Sequence, residues 1–372
     1  MKKRRIKKKA LLFLIIALLI ISMVIFLINQ SEKNVEKSKV KVNESKEDVV
    51  VEQPKEKKMS LIAVGDVLIH ESVYKDAYKN GKYDFSNMFT HIKPILSKYD
   101  LKFCNQESTI GGSVLGISGY PSFNSPDEIG DEIVNLGFNL ISLANNHALD
   151  KGEDAILYSN SYWKSKNVIT AGSYSNIEER ENIKTYEQNG IRYAFLAYTT
   201  SSNSYVNKNY LVNMYDATKV KNDIENIKNQ VDVIIVSMHW GVEYTHTPTT
   251  KQKEIANYLS SLGVNLIIGH HPHVVQPVEY VNDTLVIYSL GNFISNQLSI
   301  DLDKGIGLMV GMDIILNEDG SIKFDNLYKE LILAYAENST NFEVIPFSNL
   351  NNDLLNNYEN IEIQYMKYVN GV

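Results

Sequence analysis

Residues 266–273, LIIGHHPH, form a short apolar run that is followed by three histidines. Four other segments have the same form, an apolar run that ends on an acid, an asparagine or a histidine: LIAVGDVLIH (61–70), LKFCNQE (101–107), LISLANNHALD (140–150) and VIIVSMHWGVEY (233–244). Such apolar runs are typical of strands buried on both faces. Ligands of open α/β sheets bind at the carboxyl ends of strands, so we expect these ends to converge on one crevice.

The remaining pattern alternates strands with helices. Strands are predicted at Leu61–Val64, Leu140–Leu143, Val168–Ala171, Tyr193–Ala197, Val233–Ser237, Leu266–Ile268 and Leu285–Tyr288. Helices are predicted at Asp216–Gln230, at Thr249–Leu262, and from a capping box at Ser125–Glu128 to Gly137. The alternation predicts a layered α/β domain. After Gly305, two apolar runs on either side of NEDG (317–320) predict a β-hairpin.

Each polar block also has a purely structural explanation when it is taken alone. Gly65-Asp66 is compatible with a turn, residues 145–147 with a helix cap, and the other histidines with core or loop positions. Together, however, one Asp, one Glu, an Asn and several His at strand ends are the ligand mixture of a site for Zn²⁺, Mn²⁺ or Fe²⁺. The combination therefore predicts a divalent metal site.

The N-terminus has the pattern of a membrane anchor. Residues 1–9, MKKRRIKKK, carry seven basic side chains, and Ala10–Ile28 then runs nineteen residues without a charge. About 20 apolar residues span a bilayer as a helix. The segment that follows, FLINQSEK, offers no small-residue cleavage site, so an uncleaved signal anchor is predicted, with a cleaved signal peptide as the alternative. The basic residues predict a cytoplasmic segment at 1–9 and a single-pass protein of the cell membrane with a large extracellular domain.

Charge and composition give the predictions for residues 29–372. Residues 29–58 are rich in lysine and glutamate and contain no aromatic residue, which predicts a disordered charged linker, with a charged surface helix as the alternative. Beyond the linker, a domain is predicted at 59–299, with an extension at 300–372 that packs on it or completes it. This part has 22 basic and 37 acidic residues. A charge of about −15 argues against a nucleic-acid partner and favours attraction of cations.

The polar residues, taken in order, carry a family resemblance. Asp, Glu, Asn-His, His and His-x-His, in that order, resemble the calcineurin-type metallophosphoesterase superfamily. The strings GDVLIH, ANNHALD, HWGVEY, GHHPHV and YSLGNF resemble the CapA family of capsule (poly-γ-glutamate) biosynthesis proteins over about residues 59–296. The resemblance implies a layered β-sandwich flanked by helices. The His-x-His of GHHPH comes one residue later than in general phosphoesterases, which leaves the role of His270 open.

The resemblance also implies roles for individual residues around two divalent ions (Mn, Fe or Zn). Asp66 would be the bridging carboxylate, supported by Glu107. The remaining ligands would be Asn146, His239 and His271 on one ion and His273 on the other, with His70 as a weaker candidate. His147 would be the general acid, oriented by Asp150. The residues implied to bind substrate are Asn105, Trp240, Glu243, Tyr244, His270 and Asn292, with core packing as the alternative for Trp240 and Tyr244.

Three functions are compatible with these observations. The first is a part in making, exporting or anchoring an anionic capsule polymer, poly-γ-glutamate, with the polymer or its membrane synthase subunits as partners. The second is a surface metallohydrolase acting on phosphoesters such as nucleotides or cell-wall phosphodiesters. The third is a non-catalytic subunit of a membrane polymer-synthase complex. Whether the protein is an enzyme is therefore open as well.

Overall fold

A computed structural model of the chain describes residues 15, 18–31, 56–205, 207–299 and 301–372. The chain divides into two units, Met1–Lys55 and Glu56–Val372. In the first unit, residues 15 and 18–31 are helical and their side chains are exposed. No helix among the described residues is long and apolar enough to cross a membrane. The predicted cytoplasmic segment, residues 10–14, 16 and 17 of the predicted anchor, and residues 32–55 of the predicted linker lie outside the described residues.

The second unit contains two large sheets. The first sheet consists of β1 (Lys57–Val67), β4 (Leu101–Gln106), β5 (Leu140–Ser142), β6 (Ile169–Ala171), β13 (Asn292–Ile294), β14 (Ile306–Leu316), β15 (Ile322–Glu337) and β16 (Thr340–Pro346). Its order is β16-β15-β14-β1-β4-β5-β6, and β13 also pairs with β1. The second sheet, in the order β11-β12-β10-β9-β8-β7, consists of β7 (Thr185–Gln188), β8 (Ile191–Thr199), β9 (Val233–His239), β10 (Leu266–His270), β11 (Val278–Val281) and β12 (Thr284–Ile287). A separate hairpin pairs β2 (Tyr78–Lys79) with β3 (Lys82–Tyr83).

Helices pack against the two sheets. They are α1 (Glu71–Ala77), α2 (Lys93–Leu96), α3 (Asp127–Asn135), α4 (Gly152–Ser165), α5 (Ile177–Glu181), α6 (Ala217–Ile227), α7 (Thr250–Ser261) and α8 (Tyr358–Val369). One core joins the facing sides of the sheets, and two further cores lie between the sheets and the helices. Alternation along β1 explains its apolar run: Leu61 and Ala63 point into the central core, whereas Ile62 and Val64 point into the core beneath α1 and α3. The predicted mixed α/β architecture with flanking helices is confirmed.

The C-terminal residues take part in the first sheet. β14 pairs antiparallel with β1, and β14 and β15 form the hairpin predicted around NEDG. Residues 301–372 thus supply three strands of this sheet and helix α8, which adds Tyr365 and Val369 to the central core.

Two local predictions are wrong. β1 begins at Lys57, inside the predicted linker, because Lys57 and Lys58 pair with the end of β14. The capping box predicted at Ser125 does not form, because the hydroxyl of Ser125 donates to Ser108 Oγ (2.8 Å) and Pro126 is the N-cap. A capping box occurs instead at Thr249–Gln252, where α7 begins.

Candidate metal centre

The strand ends converge because the strands that carry them are parallel neighbours. Asp66 pairs in register with Asn105 of β4 and with Asn292 of β13. In the second sheet, His239 pairs with His270. The two sheets face each other, so β1, β4, β9 and β10 bring their carboxyl ends to one edge of the molecule, and β13 adds Asn292 from its first residue.

Glu107 lies at the centre of the converging residues. Its Oε1 is 3.7 Å from His273 Nε2 and 3.8 Å from His239 Nε2. Glu107 belongs to both groups of side chains that could hold an ion, Asp66/Glu107/His239 and Glu107/His271/His273. The geometry therefore favours Glu107 as the shared carboxylate, where the resemblance implied Asp66.

The carboxylate of Asp66 is held in position by contacts with its neighbours. Its Oδ1 accepts a hydrogen bond from Asn105 Nδ2 (2.8 Å), and its Oδ2 lies 3.3 Å from His273 Nδ1 and 3.4 Å from the backbone nitrogen of His271. His271 has φ 94°, which is unusual for a residue with a Cβ and places its N–H toward the carboxylate. Strained backbone of this kind clusters at functional sites.

Asn146 joins the group from the loop that follows β5. Its Oδ1 lies 2.9 Å from His239 Nε2, and the ring of His239 lies 4.6 Å from that of His271 between centroids. The structure thus brings together the predicted ligands on five segments, with the exception of His70. The Nδ1 of His70 is 3.1 Å from the carbonyl of Leu68, and His70 belongs to neither group of candidate ligands.

The residues fit a bound cation. Both carboxylate oxygens of Glu107 are buried without a hydrogen-bond partner, and so are the Nδ1 atoms of His239, His270 and His271. A buried polar atom left unpaired costs about 1–3 kcal/mol, so several in one place call for a partner that the side chains do not supply. Carboxylate, imidazole and amide oxygen together suit Zn²⁺, Mn²⁺ or Fe²⁺.

Burial and mutual charge shift the protonation equilibria of these groups. Burial, with the nearby charge of Asp66, raises the pKa of Glu107 well above its usual value. Burial lowers the pKa of His239 well below its usual value and that of His271 to about 4. For His273 burial acts in the same direction, but the charges of Glu107 and Asp66 outweigh it and raise the pKa to about 9.

These shifts predict that metal binding releases protons. Near pH 7, His273 (pKa about 9) holds a proton that a metal ion must displace, and Glu107 with its raised pKa adds to this competition. Affinity should therefore rise with pH up to about 9, where His273 loses its proton without help from the ion. Calorimetry of the full chain in buffers of different ionisation enthalpy measures the release. An affinity that does not change between pH 6 and 9 would contradict the prediction.

A second group of interacting side chains, centred on His147, lies beside the candidate ligands. His147 Nδ1 is 2.7 Å from Asp150 Oδ2, which also accepts the backbone N–H of Phe123 (2.8 Å). The ring of Phe123 meets that of His147 edge-on at 4.8 Å, and Asn203 Nδ2 lies 3.3 Å from His147 Nδ1. An imidazole whose Nδ1–H donates to a carboxylate has its tautomer set, so His147 Nε2 remains available for proton exchange.

These side chains border a cleft of about 810 Å³. The predicted residues that line it are His70, Asn146, His147, Asp150, Glu243, Tyr244 and His273. Lining residues that the sequence analysis missed include Tyr120, Phe123, Asn203, Ser204, Asn296 and Gln297. All six lie in loops, where no apolar run marks them.

Four residues expected to bind substrate do not line the cleft. Trp240 is fully buried, donates from Nε1 to the carbonyl of Tyr288 (2.9 Å) and stacks on the Tyr288 ring, so its core-packing alternative is the correct one. Asn105 and His270 lie behind Asp66: His270 stacks on Phe103, and its Nε2 is 3.0 Å from Ser237 Oγ. Asn292 lies behind His273, with 3.0 Å between Asn292 Oδ1 and His273 Nδ1.

Comparison with known proteins identifies the family of the chain. The profile of the family described as bacterial capsule synthesis protein PGA_cap matches residues 60–297. The PGA biosynthesis protein CapA of Bacillus subtilis (strain 168) is 28% identical over 249 residues, covering 64% of each chain. The capsule biosynthesis protein CapA of Bacillus anthracis is 26% identical over 263 residues, covering 66% of this chain and 62% of that protein. The chain thus spans somewhat less than two thirds of the length of these relatives.

Among solved structures, the NAD nucleotidase of Haemophilus influenzae is 14% identical, with a TM-score of 0.44, covering 85% of this chain and 64% of that one. The family profile covers well over half of the chain and includes every candidate ligand from Asp66 to His273. The chain belongs to the bacterial capsule synthesis protein family PGA_cap.

Proposed function

We propose that the protein is a membrane-anchored, extracellular component of capsule polymer biosynthesis, export or anchoring, and that its domain holds two divalent metal ions. Family membership and the two capsule-related relatives support the polymer, poly-γ-glutamate or a similar anionic chain. The main observation in favour of the metal centre concerns Glu107. This buried carboxylate has no hydrogen-bond partner and belongs to two groups of candidate ligands. A buried carboxylate of this kind is costly to ionise unless a cation neutralises it.

The side chains have distinct roles in this proposal. The ions would be held by Asp66, Glu107, Asn146, His239, His271 and His273. When bound, they would neutralise an anionic group of the substrate and lower the pKa of water. His147 would carry a proton on Nε2 toward a leaving oxygen or nitrogen in the cleft, and Asp150 would hold its ring.

The cellular role can be tested in a host that makes poly-γ-glutamate and from which its own family member has been deleted. The wild-type chain is expected to restore cell-surface polymer, measured as γ-linked glutamate after hydrolysis, whereas Glu107→Gln should fail to restore it. Glu178→Gln changes an exposed glutamate in α5 and serves as the control. Full restoration by Glu107→Gln would show that the metal centre is not needed for capsule formation.

The anchor and the extracellular location are proposed from the sequence of residues 1–28. With seven basic residues ahead of the apolar run, the domain should face outward. Protease added to intact cells that lack an outer membrane is therefore expected to digest it. Complete protection, under conditions in which a known surface protein is cleaved, would refute this orientation.

The main alternative is a surface metallohydrolase that acts on nucleotides or cell-wall phosphodiesters. The His147–Asp150 pair favours catalysis in either setting, because a purely structural subunit has no use for an oriented proton donor at a cleft. A non-catalytic subunit of a membrane synthase complex is the second alternative. Substitution of His147 by alanine separates these cases.

A further inference from the structure

We propose that the C-terminal helix α8, which lies beyond the region matched by the family profile, is a positioning element of the metal centre. Through Tyr365 and Tyr368 it holds two loops that together fix the ring of His273. The inference rests on the metal centre of the proposed function, and it assigns that centre a support in a part of the chain for which the family match gives no role.

The first step is the orientation of His273. Asn292 Nδ2 lies 2.8 Å from the backbone carbonyl of Lys304 and 2.9 Å from Gln297 Oε1. A carbonyl can only accept, so the amide nitrogen of Asn292 must face it, and Oδ1 must face His273. His273 Nδ1 at 3.0 Å must then donate its hydrogen to Asn292. This leaves Nε2, the nitrogen near Glu107, as the metal-binding atom.

Lys304 is connected to α8 through the turn that contains it. Lys304 belongs to a short helical turn, Leu302–Gly305, which Asp301 caps from its side chain. Asp303 of this turn accepts a hydrogen bond from the hydroxyl of Tyr365 in α8. Tyr365 is almost completely buried, so its ring packs in the central core and its hydroxyl reaches the turn. The position of the Lys304 carbonyl, and therefore of Asn292, depends on this attachment.

The third step concerns the loop between β9 and α7, which contacts the turn that carries His271 and His273. Its three hydrogen bonds to the turn run from the backbone nitrogen of Tyr244 to the carbonyl of Pro272 (2.7 Å), from His246 Nδ1 to the carbonyl of Val275 (2.8 Å), and from Gln276 Nε2 to the carbonyl of Thr245 (2.6 Å). The ring of His246 stacks on Tyr368 of α8 at 4.0 Å and 11°.

The two sets of contacts hold different atoms of His273. One fixes its Nδ1 through Asn292, and the other fixes its backbone through Pro272 and Val275. Groups that orient a metal-bound histidine typically contribute about 10–100-fold to metal affinity. Tyr365 and Tyr368 act through intermediate contacts and do not touch His273 themselves, so we expect the lower end of this range from each.

The test measures metal binding by the purified full chain, with equilibrium dialysis against chelator-buffered Zn²⁺ and metal analysis. Tyr365→Phe keeps the ring and removes only the hydroxyl that Asp303 accepts. We expect about a tenfold weaker affinity for one ion, the affinity for the other staying within about twofold. Asp303→Asn removes the charge from the same contact and should give the same pattern. Asn292→Leu should have a larger effect on the same ion.

The matched control is Tyr162→Phe, which also removes a tyrosine-to-aspartate hydrogen bond (2.7 Å to Asp131) but in the core beneath α3 and α4. It should lower the thermal unfolding temperature without changing metal affinity. Unchanged affinities in Tyr365→Phe and Asp303→Asn would overturn the inference while leaving the metal centre intact. An equal loss in Tyr162→Phe would also overturn it, because the effect would then be one of general stability. A wild-type chain that binds no ion overturns the proposed metal centre and this inference with it.

Discussion

Replacing Glu107 by glutamine is expected to remove most of the metal from both halves of the site. The side chain keeps its size, but the only carboxylate common to the two groups of candidate ligands loses its charge. Asp66 cannot take over the shared position, because it belongs to only one of the two groups. A loss of affinity of more than about 100-fold is expected, larger than the effect of removing a supporting hydrogen bond. Metal analysis after dialysis of the full chain measures it.

The same substitution should have the opposite effect on the metal-free fold. Burial and the charge of Asp66 make an ionised Glu107 unfavourable, so an amide of the same shape should leave the unfolding temperature of the metal-free protein unchanged or raise it. Asp223→Asn is the control, since Asp223 is also a buried carboxylate but is paired with Arg180 (3.0 Å) and Tyr198 (2.7 Å). Breaking that pair should cost about 3–5 kcal/mol of unfolding free energy and leave metal binding intact. If Glu107→Gln unfolds like Asp223→Asn, Glu107 has a structural role and the metal centre is wrong.

The residues that the sequence predicted at the site share one property: each follows an apolar run that had to be a buried strand. Asp66 and His239 lie at the carboxyl ends of β1 and β9, and the rule for open sheets is sufficient to place them together. The identity of the shared carboxylate could not be predicted in this way. It depends on the reach of the Glu107 side chain from the end of β4 and on the hydrogen bonds that hold Asp66, and neither is visible in a pattern of residue types.

The residues whose positions were not predicted correctly differ from the prediction for equally local reasons. Trp240 directly follows His239, and because neighbouring side chains of a strand point to opposite faces, a ligand at one position directs the next side chain into the core with Tyr288. The same alternation separates His270 from His271. Tyr120 and Asn203 lie in irregular loops, where only the folded chain brings them to the cleft. The role of α8 could not be predicted either, because its contacts to residues 246 and 303 are set by tertiary packing.

Replacing His147 by alanine is expected to leave the metal in place and to slow turnover. His147 belongs to neither group of candidate ligands, and its nearest partners are Asp150 and Asn203. Loss of a general acid typically lowers the rate by about 10²–10⁴-fold. Asp150→Asn should retain the metal too and lose less activity, because it disturbs only the orientation of the ring. The measurement is kcat on a panel of phosphomonoesters, phosphodiesters and γ-glutamyl amides, with His91→Ala, a partly exposed histidine paired with Glu343, as the control.

The outcome for His147→Ala in cells separates the remaining functions. If the protein acts on the capsule polymer by catalysis, the variant should retain its metal and yet fail to restore surface polymer in the deleted host. If the protein is a non-catalytic subunit, His147→Ala should restore polymer fully whereas Glu107→Gln, which lacks metal, should not. If it is a hydrolase of other phosphoesters, turnover on the panel should fall while polymer is unaffected by either substitution. The Nδ1–Asp150 distance of 2.7 Å favours the catalytic outcomes, because an oriented imidazole at the wall of a cleft is the arrangement that proton transfer requires.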